Sequence, residues 1–521
     1  KTLMAEFVGE GGEVERAIEL LVEVTDIDPE RARAWFLLAK YSIVSGNARI
    51  AVDDYLVRAL VINNRQGNLQ GQADVVNAQG VAFDYLGQTP QAMEHFERAV
   101  RLRSDIGDRR GEASTLRNLA ALRAIQGDFD QAQSDLARAQ GLLQALGDSE
   151  GLAALHNDLG FLAEERGDYQ LALTSYREAL RLRQQGQDMS ARAESYNNVG
   201  YCYYQLGEYD NALVYFQRAL EIMETTGDAD GAVHTEQQLG LLHLVRGDWS
   251  EAESTLQATL RVAEAQQMTE EYAVSSGFMA ELDYWRGRYD AALNWINAAA
   301  PRFEEIGDQR GRLEMAMLAA SILLDLGQVT EAQQTIASLQ NADDGNREQA
   351  AKLALLLARL ASAVGEQLQA DDYLQQAKAH ALQSANPPVS LAVEIERLRT
   401  DEDATLTAWV DLSTRAEALG HVGLQLRIIQ FALSQALANQ AVLAESASEL
   451  STLAANGEAL LVRVGDYGGE PALWHSLDQV CQLEQMPDCQ SYSVRRSEAI
   501  SRIAQQVPEP YREQWLATHA N

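Results

Sequence analysis

Lysine is almost missing from this chain. Of 521 residues only Lys1, Lys40, Lys352 and Lys378 carry an ammonium, and the rest of the positive charge is arginine. Positive charge is scarce altogether: 42 Lys and Arg stand against 76 Asp and Glu, a formal charge of −34. A surface that acidic excludes sequence-independent binding to nucleic acid or anionic lipid, both of which need a basic face. The preference for arginine over lysine suggests a GC-rich bacterial genome. Long apolar runs are missing too. No stretch reaches the eighteen or more residues a membrane span needs, and the stretch from Leu353 to Leu360 is short and carries Arg359. Direct membrane insertion by this segment is therefore not expected. There is no signal peptide, and the chain starts at Lys1 already inside a helical unit, as a piece cut from a longer protein would.

Catalytic patterns are also wanting. Gly9-Glu-Gly-Gly12 leads into a helix but lacks the strand and the lysine of a phosphate-binding loop. The eight histidines are scattered, and none forms an i, i+4 pair around a glutamate. His156, His234 and His243 read as packing or surface residues of helices. Glu164-Glu165 and Asp371-Asp372 read as solvated acidic faces. The expectation is no enzyme, no metal and no cofactor.

What is present is a repeat. Glycine recurs at 87, 127, 167, 207, 247, 287 and 327, each forty residues from the last. A small residue stands seven earlier each time (Gly80, Ala120, Gly160, Gly200, Gly240, Ala280, Ala320), and an alanine five later, from Ala92 to Ala332. Residues 191–230 show the unit. Tyr196, Val199, Gly200 and Tyr203 share one helix face, and Ala212, Phe216, Ala219 and Leu220 form the facing stripe of a second helix. Gly227 stops that second helix, and Asp228 is placed to cap the next. One helical hairpin per fixed period is the signature of an α-solenoid.

These columns of Tyr196, Val199, Gly200, Tyr203, Ala212, Phe216 and Ala219 resemble the tetratricopeptide repeat (TPR) family. The forty-residue spacing is similar to kinesin light chains, to modulators of G-protein signalling and to arrays attached to bacterial signalling proteins. The resemblance implies an all-α, right-handed α-solenoid of about eleven antiparallel helix pairs with a C-terminal helical cap. It also implies a concave groove lined by residues three before, one after and four after the small residue. Those columns here give Asn77, Arg117, Asn157, Asn197 and Gln237, then Phe161 and Tyr201, then Asp84, Glu164 and Tyr204; Glu194, six before Gly200, joins them. Carboxamides along a groove can pair with the backbone of an extended peptide, or can instead bond adjacent helices. Tyr201, Tyr204 and Phe161 supply contact area of the type found at interface hot spots. The columns turn irregular at Gly277, Glu281, Met317 and Ser321, so the expected site centres on the earlier repeats.

Along the chain, residues 1–31 read as a truncated repeat, with the helix at 13–27 as its second helix. Residues 32–341 read as the regular array, with one extra residue before Gly67. Asn341-Ala-Asp-Asp-Gly-Asn346 breaks the register, and 342–456 carry fainter columns, through Ala358, Gly365 and Ala370, then Ala392, Arg399 and Ala404, then Ala432, Asn439 and Ala444. The pattern is lost at Gly457, and residues 457–521 form the expected cap. Cys202 reads as a small packed hydrophobe. Cys481 and Cys489 flank CQLEQMPDC; a disulfide there would imply an oxidising compartment, whereas two separate thiols would suit the cytoplasm. Cytoplasm and periplasm both stay open.

The function expected is a protein- or peptide-binding TPR scaffold or sensor region of a larger bacterial signalling protein. A short resemblance of Asp53-Asp-Tyr-Leu-Val-Arg-Ala-Leu60 to arrays that follow bacterial Ser/Thr kinase domains points the same way. The alternative is a cytosolic peptide-sensing regulator whose superhelix switches an attached output domain. In either case the acidity of Asp84, Glu164 and Glu194 implies a partner with basic residues.

Overall fold

The computed structural model describes residues 2–10, 13–337, 339, 346–401, 403–438, 447–483 and 489–519. Among them every regular element is a helix, and consecutive helices pair across short turns as an α-solenoid. The chain forms two compact units: everything up to Glu165 with Glu178–Gly186, and Arg166–Arg177 with everything from Gln187 onward. The forty-residue repeat runs through both.

The hairpin of Met189–Gln205 and Tyr209–Thr226 shows why the columns exist. Gly207 (φ 74°) makes the turn and Gly227 (φ 75°) ends the second helix, both left-handed conformations that a Cβ disfavours. The Asp228 side chain then accepts from the backbone N–H of Gly231 at 3.0 Å, and Asp108, Asp148 and Asp308 cap their helices in the same way. Gln267 and Ala385 end their helices with φ of 59° and 51°, where most other repeats use glycine.

The small residue is matched to the residue sixteen later. A Cβ on Gly80 would stand 2.7 Å from the Phe96 ring, and one on Gly200 would stand 2.8 Å from the Phe216 ring. Where the facing residue is aliphatic, alanine fits: Ala120 shares a core cluster with Leu136, and Ala280 with Ile296. Gly240 departs from this rule, since it faces Leu256.

Irregularities of spacing have local solutions. The extra residue before Gly67 is absorbed in a π-helical segment, Ala51–Tyr55, so the columns on either side stay in place. The helix at Val14–Ile27 packs against a preceding helix, Thr2–Glu10. Gly11 and Gly12, the break at 341–345, the columns at Asn439 and Ala444, and residues 484–488 lie outside the described residues.

From Arg347 the pairs continue as Arg347–Ala363 with Gln367–Ser384 and Pro387–Thr400 with Leu406–Leu419, followed by Val422–Ala438. Gly457, where the sequence pattern stops, lies inside the helix Ala447–Val464. It is small because a Cβ would come within 3.0 Å of Ile429 Cγ2. Glu470–Leu483, Gln490–Gln506 and Glu509–His519 complete the described chain. No helix of the described residues is long and apolar enough to cross a membrane.

Candidate functional site

Within the second unit, the helices after Arg347 return against the turns of the regular repeats. The backbone N–H of Gly468 donates to Trp285 O at 2.8 Å, and a Cβ on Gly287 would meet Gly468 Cα at 2.7 Å. Arg463 bonds Arg246 O at 2.8 Å and Asp248 at 3.0 Å, and Gln514 bonds Gly327 O at 3.3 Å. Side chains cross between the facing inner helices as well. Tyr169 OH donates to Glu348, Asn386 Nδ2 donates to Gln205 Oε1 at 3.1 Å, and Arg427 donates to Tyr284 OH at 2.7 Å.

This return creates a run of adjoining cavities, of about 420, 390 and 420 Å³, that share Trp285 and Arg427 in their walls. Their walls follow the groove columns. Tyr201 and Tyr204 stand one and four after Gly200, and Leu241 one after Gly240. Glu281 and Tyr284 hold the same two positions beside Ala280, and Ser321 and Leu324 beside Ala320. Arg359 and Ser362 hold them beside Ala358. Glu314, Lys352 and Asn386 fill the column six before the small residue. The columns that turn irregular in residue type therefore hold their place in space.

The cavity wall is strongly charged for its burial. Burial raises the pKa values of Glu281 and Glu314, against the pull of the Lys352 ammonium. At Glu348 burial is outweighed by Lys352, which pairs with it directly, and by the Tyr169 hydroxyl, so its pKa is lowered. Lys352 is raised in turn: burial opposes its charge, but Glu348 and Glu314 prevail. Arg359 pairs with Asp325 at 2.6 Å, and Arg427 lies 3.9 Å from the same carboxylate. Burial raises Tyr204 well above the usual phenol range, so it stays a neutral hydroxyl. His421 is held neutral: burial and the nearby Arg427 push its pKa down to about 4, and its Nδ1 accepts from Leu424 N–H at 3.3 Å.

The other residues expected in the groove divide between the units. In the first unit, Asn77 accepts from the Thr115 hydroxyl at 2.9 Å, and Arg117 is ion-paired to Asp158. Phe161 packs on the cluster around Leu136 and Leu155, Asn157 and Glu164 are half-buried, and Asp84 is exposed. In the second unit Glu194 is exposed, whereas Asn197 is buried and accepts from Thr235 at 3.1 Å. Gln237 is fully buried and donates to Glu271 O at 2.6 Å and to Ser275 at 2.9 Å. Asn77, Asn197 and Gln237 thus bond the first helix of the next repeat, the second of the two roles open to carboxamides. The signal for it was a hydroxyl column five before the small residue: Thr115, Thr235 and Ser275.

Cys481 and Cys489 are joined as a disulfide, their Cα atoms 5.6 Å apart, and Cys202 is a buried free thiol. Among the described residues no group of three or more His, Cys, Asp or Glu is placed to hold a metal ion.

Several solved helical-repeat structures are similar in fold. A Rap protein complexed with competence and sporulation factor is 15% identical, covers 71% of this chain and 98% of its own, and gives a TM-score of 0.46. Aspartyl phosphate phosphatase F from Bacillus subtilis is 14% identical, with 67% and 94% covered and a TM-score of 0.43. A putative kinesin light chain of Podosopora anserina with TPR-like repeats is 17% identical, with 39% and 98% covered and a TM-score of 0.33. No protein of curated function matches the chain. Residues 58–338, more than half of the chain, match the family described as the MalT-like TPR region, and the chain belongs to that family.

Proposed function

We propose that this TPR scaffold is the ligand-binding or sensor region of a bacterial signalling protein, and that it holds a peptide or protein segment in the cavity of its second unit. The observation that carries the reading is the convergence of the same columns, from successive repeats, on one run of cavities walled by Tyr201, Tyr204, Glu281, Trp285 and Lys352. Such a site combines aromatic area with a few fixed polar groups, the composition expected where a flexible segment must be both gripped and oriented. The principal contacts fall there rather than on Asn77 and Asn197, whose side chains serve the next helix. Acidic groups at the cavity and the net charge of −34 favour a partner with basic residues, so association slows and weakens as salt rises.

The test is a pull-down with the array, followed by calorimetry of the recovered segment against a Tyr201→Ala, Tyr204→Ala double variant. A loss of tenfold or more in affinity, with unchanged helical content, is expected. Unchanged affinity in a folded variant would place the ligand elsewhere.

A further inference from the structure

Three buried polar side chains on the wall of one cavity have unused hydrogen-bonding capacity. Tyr209, Gln238 and Gln349 are 5%, 6% and 3% exposed. The Tyr209 hydroxyl, the Gln238 carbonyl oxygen and the Gln349 amide oxygen lack a hydrogen-bond partner, while the Gln349 N–H group faces the Glu314 carboxylate, and all three residues line the cavity of about 420 Å³. Native proteins rarely leave such groups unmet, and several on one wall mark a place completed from outside. Together they offer donors and acceptors, the complement of a peptide backbone.

The charges beside them specify more. Of the basic side chains on these walls, Lys352 is turned to Glu348, Arg359 and Arg427 to Asp325, and Arg399 to Glu396. Among the described residues Glu281 and Glu314 form no direct ion pair, although Lys352 draws on both and Arg310 on Glu314 from the same cavity walls, and the rings of Phe278 and Trp285 stand close by. Two partly desolvated carboxylates next to aromatic rings suit a guanidinium or ammonium on a long apolar stem.

We infer that the ligand is a peptide that seats an arginine or lysine side chain at Glu281 and Glu314, while its backbone amides pair with Tyr209, Gln238 and Gln349. This rests on the reading that the cavity binds a peptide, and goes beyond it by naming the recognised group.

The probes are three pools of fluorescein-labelled octapeptides, random except for a fixed central residue: arginine, its neutral isostere citrulline, or glutamate. Each is titrated by fluorescence anisotropy against the full chain. The arginine pool is expected to bind at least about tenfold more tightly than the citrulline pool, the size of a charge-assisted contact, and the glutamate pool most weakly. In a Glu281→Gln, Glu314→Gln double variant the arginine advantage should fall to about twofold or less, while Gln349→Leu should weaken the arginine and citrulline pools alike. Equal binding of arginine and citrulline pools to the parent chain overturns the subsite, whatever the variants do, and leaves the cavity reading standing if Tyr204→Ala still weakens both. Binding of all pools that Tyr204→Ala leaves untouched, or no binding at all, overturns both.

Discussion

Replacing Gly200 by alanine sets two well-characterised effects against each other. In an unobstructed helix interior the change stabilises by about 1 kcal/mol, because alanine loses less backbone freedom. Here the new Cβ would stand 2.8 Å from Cδ1 and Cε1 of Phe216 and 3.3 Å from Cγ, well inside the roughly 3.5–4.0 Å of a favourable carbon contact. Phe216 is fully buried and has little room to yield. Overpacking of this type costs about 1–3 kcal/mol, so Gly200→Ala is expected to destabilise by up to about 2 kcal/mol, and Gly200→Leu by more. Phe216→Leu alone leaves a void. The double variant recreates the pairing that Ala120 and Leu136 already use, so the two changes should couple favourably by at least about 1 kcal/mol. Glu221→Ala, on the exposed face of the same hairpin, should stay within about 0.5 kcal/mol. The assay is hydrogen exchange of amides in Met189–Gln205 and Tyr209–Thr226, since a repeat array need not unfold in one step and exchange reports local free energies. A Gly200→Ala variant more stable than the parent, with strict additivity in the double variant, would refute the packing argument.

Gln267→Gly should stabilise its hairpin by about 0.5–1 kcal/mol in the same exchange assay, because Gln267 holds φ at 59° where glycine is unstrained. Lower stability would show that the glutamine side chain contributes more than its backbone loses. His421, neutral when folded with a pKa near 4 against about 6.5 unfolded, should contribute fully above about pH 6.5. That contribution should be lost as pH falls toward 4, by at most about 3 kcal/mol, and His421→Gln should flatten the dependence of Tm on pH across that window. Protein isolated from its native compartment should yield Cys481 and Cys489 as a linked pair by mass spectrometry; two free thiols would indicate a reducing compartment.

The helices, the turns and the caps were legible because each depends on residues within one forty-residue period. Gly207, Ala212, Phe216 and Gly227 hold their roles locally, so spacing alone finds them. Even the extra residue before Gly67 was visible as a count, although its π-helical form at Ala51–Tyr55 was not. The cavity was only half legible. Tyr201 and Tyr204 line it as their columns lead one to expect, whereas Glu281 stood out only as an irregular column and Lys352 and Arg427 not at all, since the groove columns there no longer repeat a residue type and only their spacing persists. The bonds that bring the walls together, such as Tyr169 to Glu348 and Arg427 to Tyr284, join residues more than a hundred positions apart. No periodic pattern encodes contacts of that range.

The central claim is that the cavity of the second unit is where the ligand sits, and site-specific photo-crosslinking tests it most directly. A benzophenone amino acid is placed in turn at Tyr204 and Phe278 on the cavity wall and at Glu221 on the exposed face, and each protein is irradiated with the fluorescein-labelled arginine pool. The account predicts strong adducts from 204 and 278, competed by unlabelled peptide, and background from 221. Adducts from 221 alone, or equal yields at all three positions, would contradict it.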